Sequence, residues 1–309
     1  MKRAILLGAI ASLLWSTVFV FGRYLCNVLG IHPILVAFLR FSCAGTISVL
    51  YIVFKGEARS LSLLVEKPLN ISLLAVTGIS AMGGSVFLAL SRSTSVDVSI
   101  IMNSNPIFII PLAVLVGERL TLRNIIGVIA GLLGCALVIN GSFTGFQLLI
   151  QREHFIGNLI ALVAAICWAI YTVMGKELVR ERGGLVVTSL NMVIGSIPLL
   201  LILIGLGELT LPSLKASLII LYLAIFPTAM GFVFWYKALE TLDAGPLGPL
   251  QYIVPVGTAI IAFFFLDETI GLASMTGMIM VFAGIYLSTI SVADKIPTHR
   301  KSQRSGGNI

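Results

Sequence analysis

Charge is what this chain is short of. Only 11% of its 309 residues are Asp, Glu, Lys or Arg, against about 25% in ordinary soluble domains. A compact water-facing surface of this size cannot be covered with so little charge, which excludes a soluble enzyme. Histidine is scarce as well: His32, His154 and His299 all fall between or beyond the apolar runs, so no His pair is placed to hold a metal within them. The four cysteines, Cys26, Cys43, Cys135 and Cys167, lie in or beside apolar runs and form no CxxC pair. They read as small core residues, not as a disulfide or zinc framework. Asp97, Glu118, Asp267 and Glu268 stand near the ends of runs rather than inside them. Phosphate-binding loops, serine triads and nucleophile elbows are missing too. The expectation is no catalytic residue, no metal and no cofactor.

What is present is apolarity: 58% hydrophobic residues and a mean hydropathy of +1.07. A hydrocarbon core of about 30 Å needs roughly 20 apolar residues per helix. Polar punctuation separates ten such runs, at about 4–24, 34–54, 70–91, 98–117, 124–141, 156–176, 186–206, 216–237, 246–266 and 271–291. Met1-Lys2-Arg3 and Ala9-Ile10-Ala11 imitate a signal peptide, but the run continues to about Leu25 and reads as the first membrane helix.

The net charge of +7 reports orientation, not a nucleic-acid partner. The chain ends and even-numbered loops hold fifteen of the basic residues, the odd-numbered loops and their borders four, with Arg40 alone inside a run. That asymmetry predicts both termini in the cytoplasm.

Self-similarity orders the spans. Glu118, Leu122, Gly127, Ile129, Gly134 and Leu137 recur as Glu268, Leu272, Gly277, Ile279, Gly284 and Leu287, offset by 150. Leu6, Ala11, Trp15, Val20, Gly22 and Leu25 recur as Leu159, Ala164, Trp168, Val173, Gly175 and Leu178, offset by 153. Two copies of a five-span unit result. Because five is odd, the second copy runs opposite to the first, the inverted-repeat plan of many secondary transporters.

Trp15…Gly22-Arg23, Pro33…Arg40 and Pro106…Gly117-Glu118-Arg119-Leu120, with Gly127 and Gly134, followed by Pro255…Asp267-Glu268 with Gly277 and Gly284, resemble the EamA-type drug/metabolite transporter superfamily. The resemblance covers nearly all of residues 4–291. It implies an all-α membrane protein of ten transmembrane helices in two inverted five-helix repeats. Helices 1, 3, 4, 6, 8 and 9 would surround a central cavity, with 5 and 10 as peripheral scaffold. The units are 1–145, a linker 146–155, 156–291, and a basic cytoplasmic tail 292–309. Many members of the superfamily are bacterial inner-membrane exporters of amino acids and related metabolites. The first repeat lacks a proline aligned with Pro255 and offers Asn105-Pro106 one position off.

The expected partners are a small-molecule substrate and the lipid bilayer of a cell membrane; the oligomeric state is not set by the sequence. Substrate-binding candidates follow from polarity and breaks at depth. Proline removes a backbone donor and frees a carbonyl, and interrupted helices at corresponding places point to a transporter site. Asn103 and Asn105 accompany Pro106 and Pro111 in the fourth run; Gln251 and Tyr252 accompany Pro246, Pro249 and Pro255 in the ninth. On a regular helix Asn103 and Asn105 point about 200° apart, so one of them faces the cavity unless the break re-aims them. Trp15 and Trp168 fall mid-run, where they line an apolar cavity or lock helix packing, and Tyr171 is one turn beyond Trp168. Arg40 is a costly charge unless it faces a cavity or snorkels to the surface; Asn191 occupies its place in the second copy. Trp235 and Tyr236, near the end of the eighth run, read as an interfacial belt. Glu118 and Glu268 are either gate residues or polar helix ends, and Gly127-x-x-x-Gly131-x-x-Gly134 is a packing face.

Helix 1 offers Trp15, Ser16 and Thr17 but no carboxylate, so the proton-for-cation exchange that small multidrug relatives run on a helix-1 glutamate is not supported. A carrier of phosphorylated sugars or lipid-linked substrates would need several basic residues at depth, and only Arg40 is there. A channel remains an alternative; an intramembrane enzyme lacks its nucleophile and base.

Overall fold

The computed structural model describes residues 2–93, 95–118, 121–140, 155–266 and 272–293. Asp267 and Glu268, most of the linker and the basic tail beyond Ala293 lie outside these. In the first half, α1 (Lys2–Arg23) runs into a π-turn (Tyr24–Val28), and α2 (Pro33–Phe54) is followed by a 3-10 turn (Ala58–Ser62) and a short α3 (Leu63–Glu66). Helix α4 (Pro68–Ala75) is continued through a π-turn (Val76–Ala81) by α5 (Met82–Arg92). Then come α6 (Ser95–Asn103), α7 (Asn105–Leu115) and α8 (Leu122–Asn140). The second half has α9 (Phe155–Arg182), α10 (Gly184–Leu206), α11 (Leu214–Leu223), a π-turn (Ala224–Met230) and α12 (Gly231–Leu239). It closes with α13 (Ala244–Leu247), a 3-10 turn (Gly248–Tyr252), α14 (Ile253–Leu266) and α15 (Leu272–Ala293). Every regular element among the described residues is helical.

Six continuous helical stretches are long and apolar enough to cross a bilayer: Lys2–Val28, Pro33–Phe54, Pro68–Arg92, Phe155–Arg182, Gly184–Leu206 and Leu214–Leu239. Shorter apolar helices, Ile101–Leu115, Leu122–Gly134 and Met275–Leu287, occupy other expected runs. The long stretches carry exposed Leu13, Leu50, Phe54, Leu201, Ile204 and Leu218 on their outer faces, an apolar surface that lipid rather than water accommodates.

Local chemistry sets the boundaries. Pro33 opens α2 at a position where its missing N–H is not needed. Ser213 caps α11 by accepting from the Ala216 N–H at 3.3 Å. Gly207, at φ +69°, ends α10 in the left-handed conformation. Helix α9 outruns its expected end near residue 176, because the apolar pattern stops there but nothing breaks the helix before Gly183 at φ +83°.

Two expected single runs are broken. The run 98–117 divides at Ser104 into α6 and α7, with Pro106 in the first turn of α7. The run 246–266 is entered through α13 and a 3-10 turn with Pro249 in its first turn. Away from these breaks the glycine face does what its spacing suggests. A Cβ on Gly134 would lie 2.6 Å from the Gly277 carbonyl and 2.7 Å from the Val281 nitrogen, and one on Gly284 would lie 2.7 Å from the Gly131 nitrogen. Helices α8 and α15 therefore pack backbone against backbone.

Candidate functional site

The π-turn Ala224–Met230 is where the site begins. Pro227 lies inside it and cannot donate to a preceding carbonyl, and a π-turn leaves backbone groups for other partners. The Pro227 carbonyl accepts from the indole N–H of Trp15 at 2.7 Å, which fixes that ring across from α12. The Thr228 hydroxyl donates to the Leu223 carbonyl at 2.6 Å and accepts from Nε of Arg40. Arg40 is buried, so it does not snorkel. Its guanidinium carbon is 5.0 Å from the Phe41 ring centroid and 5.7 Å from that of Phe87, close enough for attraction to both ring faces.

Aromatic rings make the opposite wall. Trp15 and Trp168 meet edge to face at 5.1 Å, and Phe232 lies 5.7 Å from Trp15 and 5.3 Å from Trp168. Trp235 backs them, 5.3 Å from Trp15. Both halves of the chain thus contribute to one cluster. Trp235 and Tyr236 correct the expectation of an interfacial belt: both are fully buried. Nearness to the end of an apolar run tells nothing about which face of the helix a ring occupies, and these face the interior.

The amides come from the broken helices. The Asn105 side-chain nitrogen donates to the Met102 carbonyl and to Oε1 of Gln251, each at 2.6 Å. This leaves Nε2 of Gln251 buried with no partner. Asn103 donates to the Ser99 carbonyl at 2.7 Å and to the Ser99 hydroxyl at 3.3 Å, so its oxygen remains available.

Trp15, Arg40, Asn103, Trp168 and Gln251 line one cavity together with Phe19, Met82, Val86, Phe232 and Val254. Its free volume is about 60 Å³, below the roughly 300–1,000 Å³ usual for ligand pockets, so a metabolite would enter only as the walls part. The other three candidates stand elsewhere. Asn105 is behind the wall, holding Gln251. Tyr171 stacks on Tyr236 at 4.7 Å, accepts from Asn191 Nδ2 at 3.4 Å and packs against Gly78. Tyr252 lies over Gly131 and donates to the Val128 carbonyl at 3.1 Å, so the break re-aims it toward α8. Thr228 and Phe232 were not singled out beforehand; Pro227 in the eighth run was the available signal. No Asp, Glu or His is among the described residues lining the cavity, and no group of three His, Cys, Asp or Glu among the described residues is placed to hold a metal.

A second polar cluster closes one end of the bundle. Buried Glu118 accepts from Lys176 at 2.7 Å and from the Ala244 and Gly245 N–H groups at 3.1 Å each. It is a helix-end residue, but the helix it caps is α13 in the other half of the chain. Lys176 also pairs with Asp243 at 2.7 Å, and Arg180 with Asp243 at 2.9 Å. Partial burial of Asp243 works to raise its carboxyl, yet the Lys176 and Arg180 partners outweigh it and hold the group below its ordinary value.

Known proteins share this architecture. A family model described as EamA-like transporter family matches residues 2–140 and 155–290. A protein of Archaeoglobus fulgidus named as an uncharacterized transporter is 28% identical over 287 residues, covering 92% of this chain and 96% of its own. A Salmonella typhimurium protein named "Probable amino-acid metabolite efflux pump" is 26% identical over 201 residues, covering 62% and 66%. A solved crystal structure superposes with a TM-score of 0.78 over 98% of this chain and 99% of that one, at 22% identity, which is a likeness of fold.

Proposed function

The chain belongs to the EamA-like transporter family, and we propose that this multi-pass membrane transporter carries a small, partly polar organic metabolite outward by alternating access. In this reading ten helices form two inverted repeats, 1–145 and 156–291, with both termini cytoplasmic, and the cavity between them opens to either side in turn. The observation that carries it is the cavity itself. Aromatic walls from both halves surround a few placed polar groups, Arg40, Asn103 and Gln251, the composition expected of a ligand site. The efflux function named for the Salmonella relative supports an amino acid or derivative as cargo and export as the direction. The cell membrane, such as a bacterial inner membrane, is the proposed location.

Counterflow in proteoliposomes tests the proposal. Vesicles preloaded with a metabolite extract should accelerate uptake of labelled components of that extract, and the flux should saturate. Flux that rises linearly with concentration and ignores the opposite side would indicate a channel. Asn103→Ala and Gln251→Ala, with expression checked, should weaken apparent affinity; unchanged affinity in both would move the site elsewhere.

A further inference from the structure

We infer that the cavity is built for an organic monoanion, a carboxylate attached to a compact apolar or aromatic body. The inference rests on the transport site proposed above and concerns what that site accepts.

Arg40 uses only its Nε, in the bond to Thr228. Its two terminal nitrogens have no hydrogen-bond or ion-pair partner among the described residues, although the side chain is 5% exposed. Arginine keeps its proton and presents a planar fork that matches a carboxylate. A buried charge with no countercharge is costly and functional sites are where such charges persist. Two more donors on the lining residues are unpaired: Nε2 of Gln251 and the indole N–H of Trp168. The Gln251 assignment is secured by Asn105, whose nitrogen already gives its hydrogens to the Met102 carbonyl and to Oε1 of Gln251. Rotating the Gln251 amide would place donor against donor.

The cavity therefore offers one fixed positive charge, with the Asn103 oxygen as its amide acceptor, while the two spare donors stand buried in its wall. No carboxylate lines it to receive an ammonium group, which disfavours cations. One guanidinium is too little for a phosphate dianion, which selects a singly charged group. The Trp15, Trp168 and Phe232 rings suit the apolar remainder of such a molecule, and the Asn103 oxygen suits a single hydroxyl or N–H on it.

All three tryptophans of the chain, Trp15, Trp168 and Trp235, belong to this cluster, so intrinsic fluorescence of the purified protein reports on the cavity. The probes are phenylacetate, phenylacetamide, phenethylamine and phenylalanine. Phenylacetate should change the fluorescence saturably, with an affinity roughly 10- to 100-fold above that of phenylacetamide, the usual effect of a charged hydrogen-bonding partner, and phenethylamine should bind weakest. Arg40→Gln should erase the preference for carboxylate over amide, and Arg40→Lys should keep part of it. Gln251→Glu leaves Arg40 untouched but supplies a countercharge; it should weaken phenylacetate and strengthen phenethylamine. Equal affinity for the carboxylate, amide and amine, or a preference that survives in both Arg40→Gln and Gln251→Glu, overturns the anion inference and leaves the transport site standing. Silence from all four probes in protein with intact counterflow of extract also overturns it. Silence in both assays overturns the proposed function itself.

Discussion

Asn105 and Gln251 meet at 2.6 Å, side-chain amide to side-chain amide. This bond joins the break between α6 and α7 to the 3-10 turn before α14, and it fixes the orientation of the Gln251 amide in the cavity wall. Asn105 thus shapes the site without lining it, whereas Asn103 lines it.

The two asparagines should separate in experiment. Asn105→Leu leaves the buried Gln251 oxygen without its donor, a loss of about 1–3 kcal/mol, and frees the amide to rotate. We expect lower thermal stability together with weaker apparent affinity. Asn103→Ala removes a cavity group whose internal bonds are to Ser99 on its own helix, so affinity should fall with a smaller stability change. Equal stability losses with unchanged affinity in both would contradict this division.

The Glu118 cluster is a structural clasp between distant segments, and it stands apart from the cavity lining. Glu118→Gln should lower the melting temperature or alter the rate of opening, because Lys176 loses its buried anion. The proton dependence of transport should be unchanged. Loss of that dependence with substrate binding intact would assign Glu118 to proton coupling instead.

Asp243 gives a pH signature with a definite sign. Its folded-state carboxyl is held below the ordinary value, so it contributes stability above the unfolded-state pKa of about 3.9 and loses it as pH falls through the lowered folded value. Thermal denaturation of Asp243→Asn against the parent should show a constant difference through neutral and mildly acidic pH, shrinking only in strong acid. A difference that vanishes near pH 6 would mean another group titrates.

Gly134→Ala places a methyl within 2.6 Å of the Gly277 carbonyl. Backbone cannot yield as a side-chain tip can, and overpacking of this kind costs about 1–3 kcal/mol. Stability should fall while substrate affinity of the folded protein is retained, because the α8–α15 contact does not line the cavity.

Orientation is tested with reporter fusions. Those after Ser60 and Gly183 should report cytoplasm and one after Pro212 the outside, as the distribution of Lys and Arg requires. The same side for Ser60 and Pro212 would remove the inverted-repeat plan.

Much of this was legible in sequence, for identifiable reasons. Apolar runs and polar punctuation reveal spans because the bilayer demands length. Pro106 and Pro249 reveal broken helices because their missing N–H groups have only local remedies. Where each break falls is another matter. The division comes at Ser104, and the partner that turns Asn105 away from the cavity is Gln251, 146 residues distant. The same holds for Trp235, whose depth in its run resembles an interface position but whose neighbours are Trp15 and Trp168. Facing is a property of helix–helix contact, and a single chain of letters records it only where polarity differs around the helix.

Under the proposed export of a monoanion, the Arg40 guanidinium would set how voltage enters the transport cycle. With a monoanion aboard, the site would be neutral, and the loaded carrier would cross the field without electrical work. The empty carrier would bear the positive charge alone. A membrane negative inside, worth up to about 2.3 kcal/mol per charge per 100 mV, would draw that empty site back to the inner face after each release. The driving force for export would then act on the return stroke, and each turn would leave the interior one negative charge poorer.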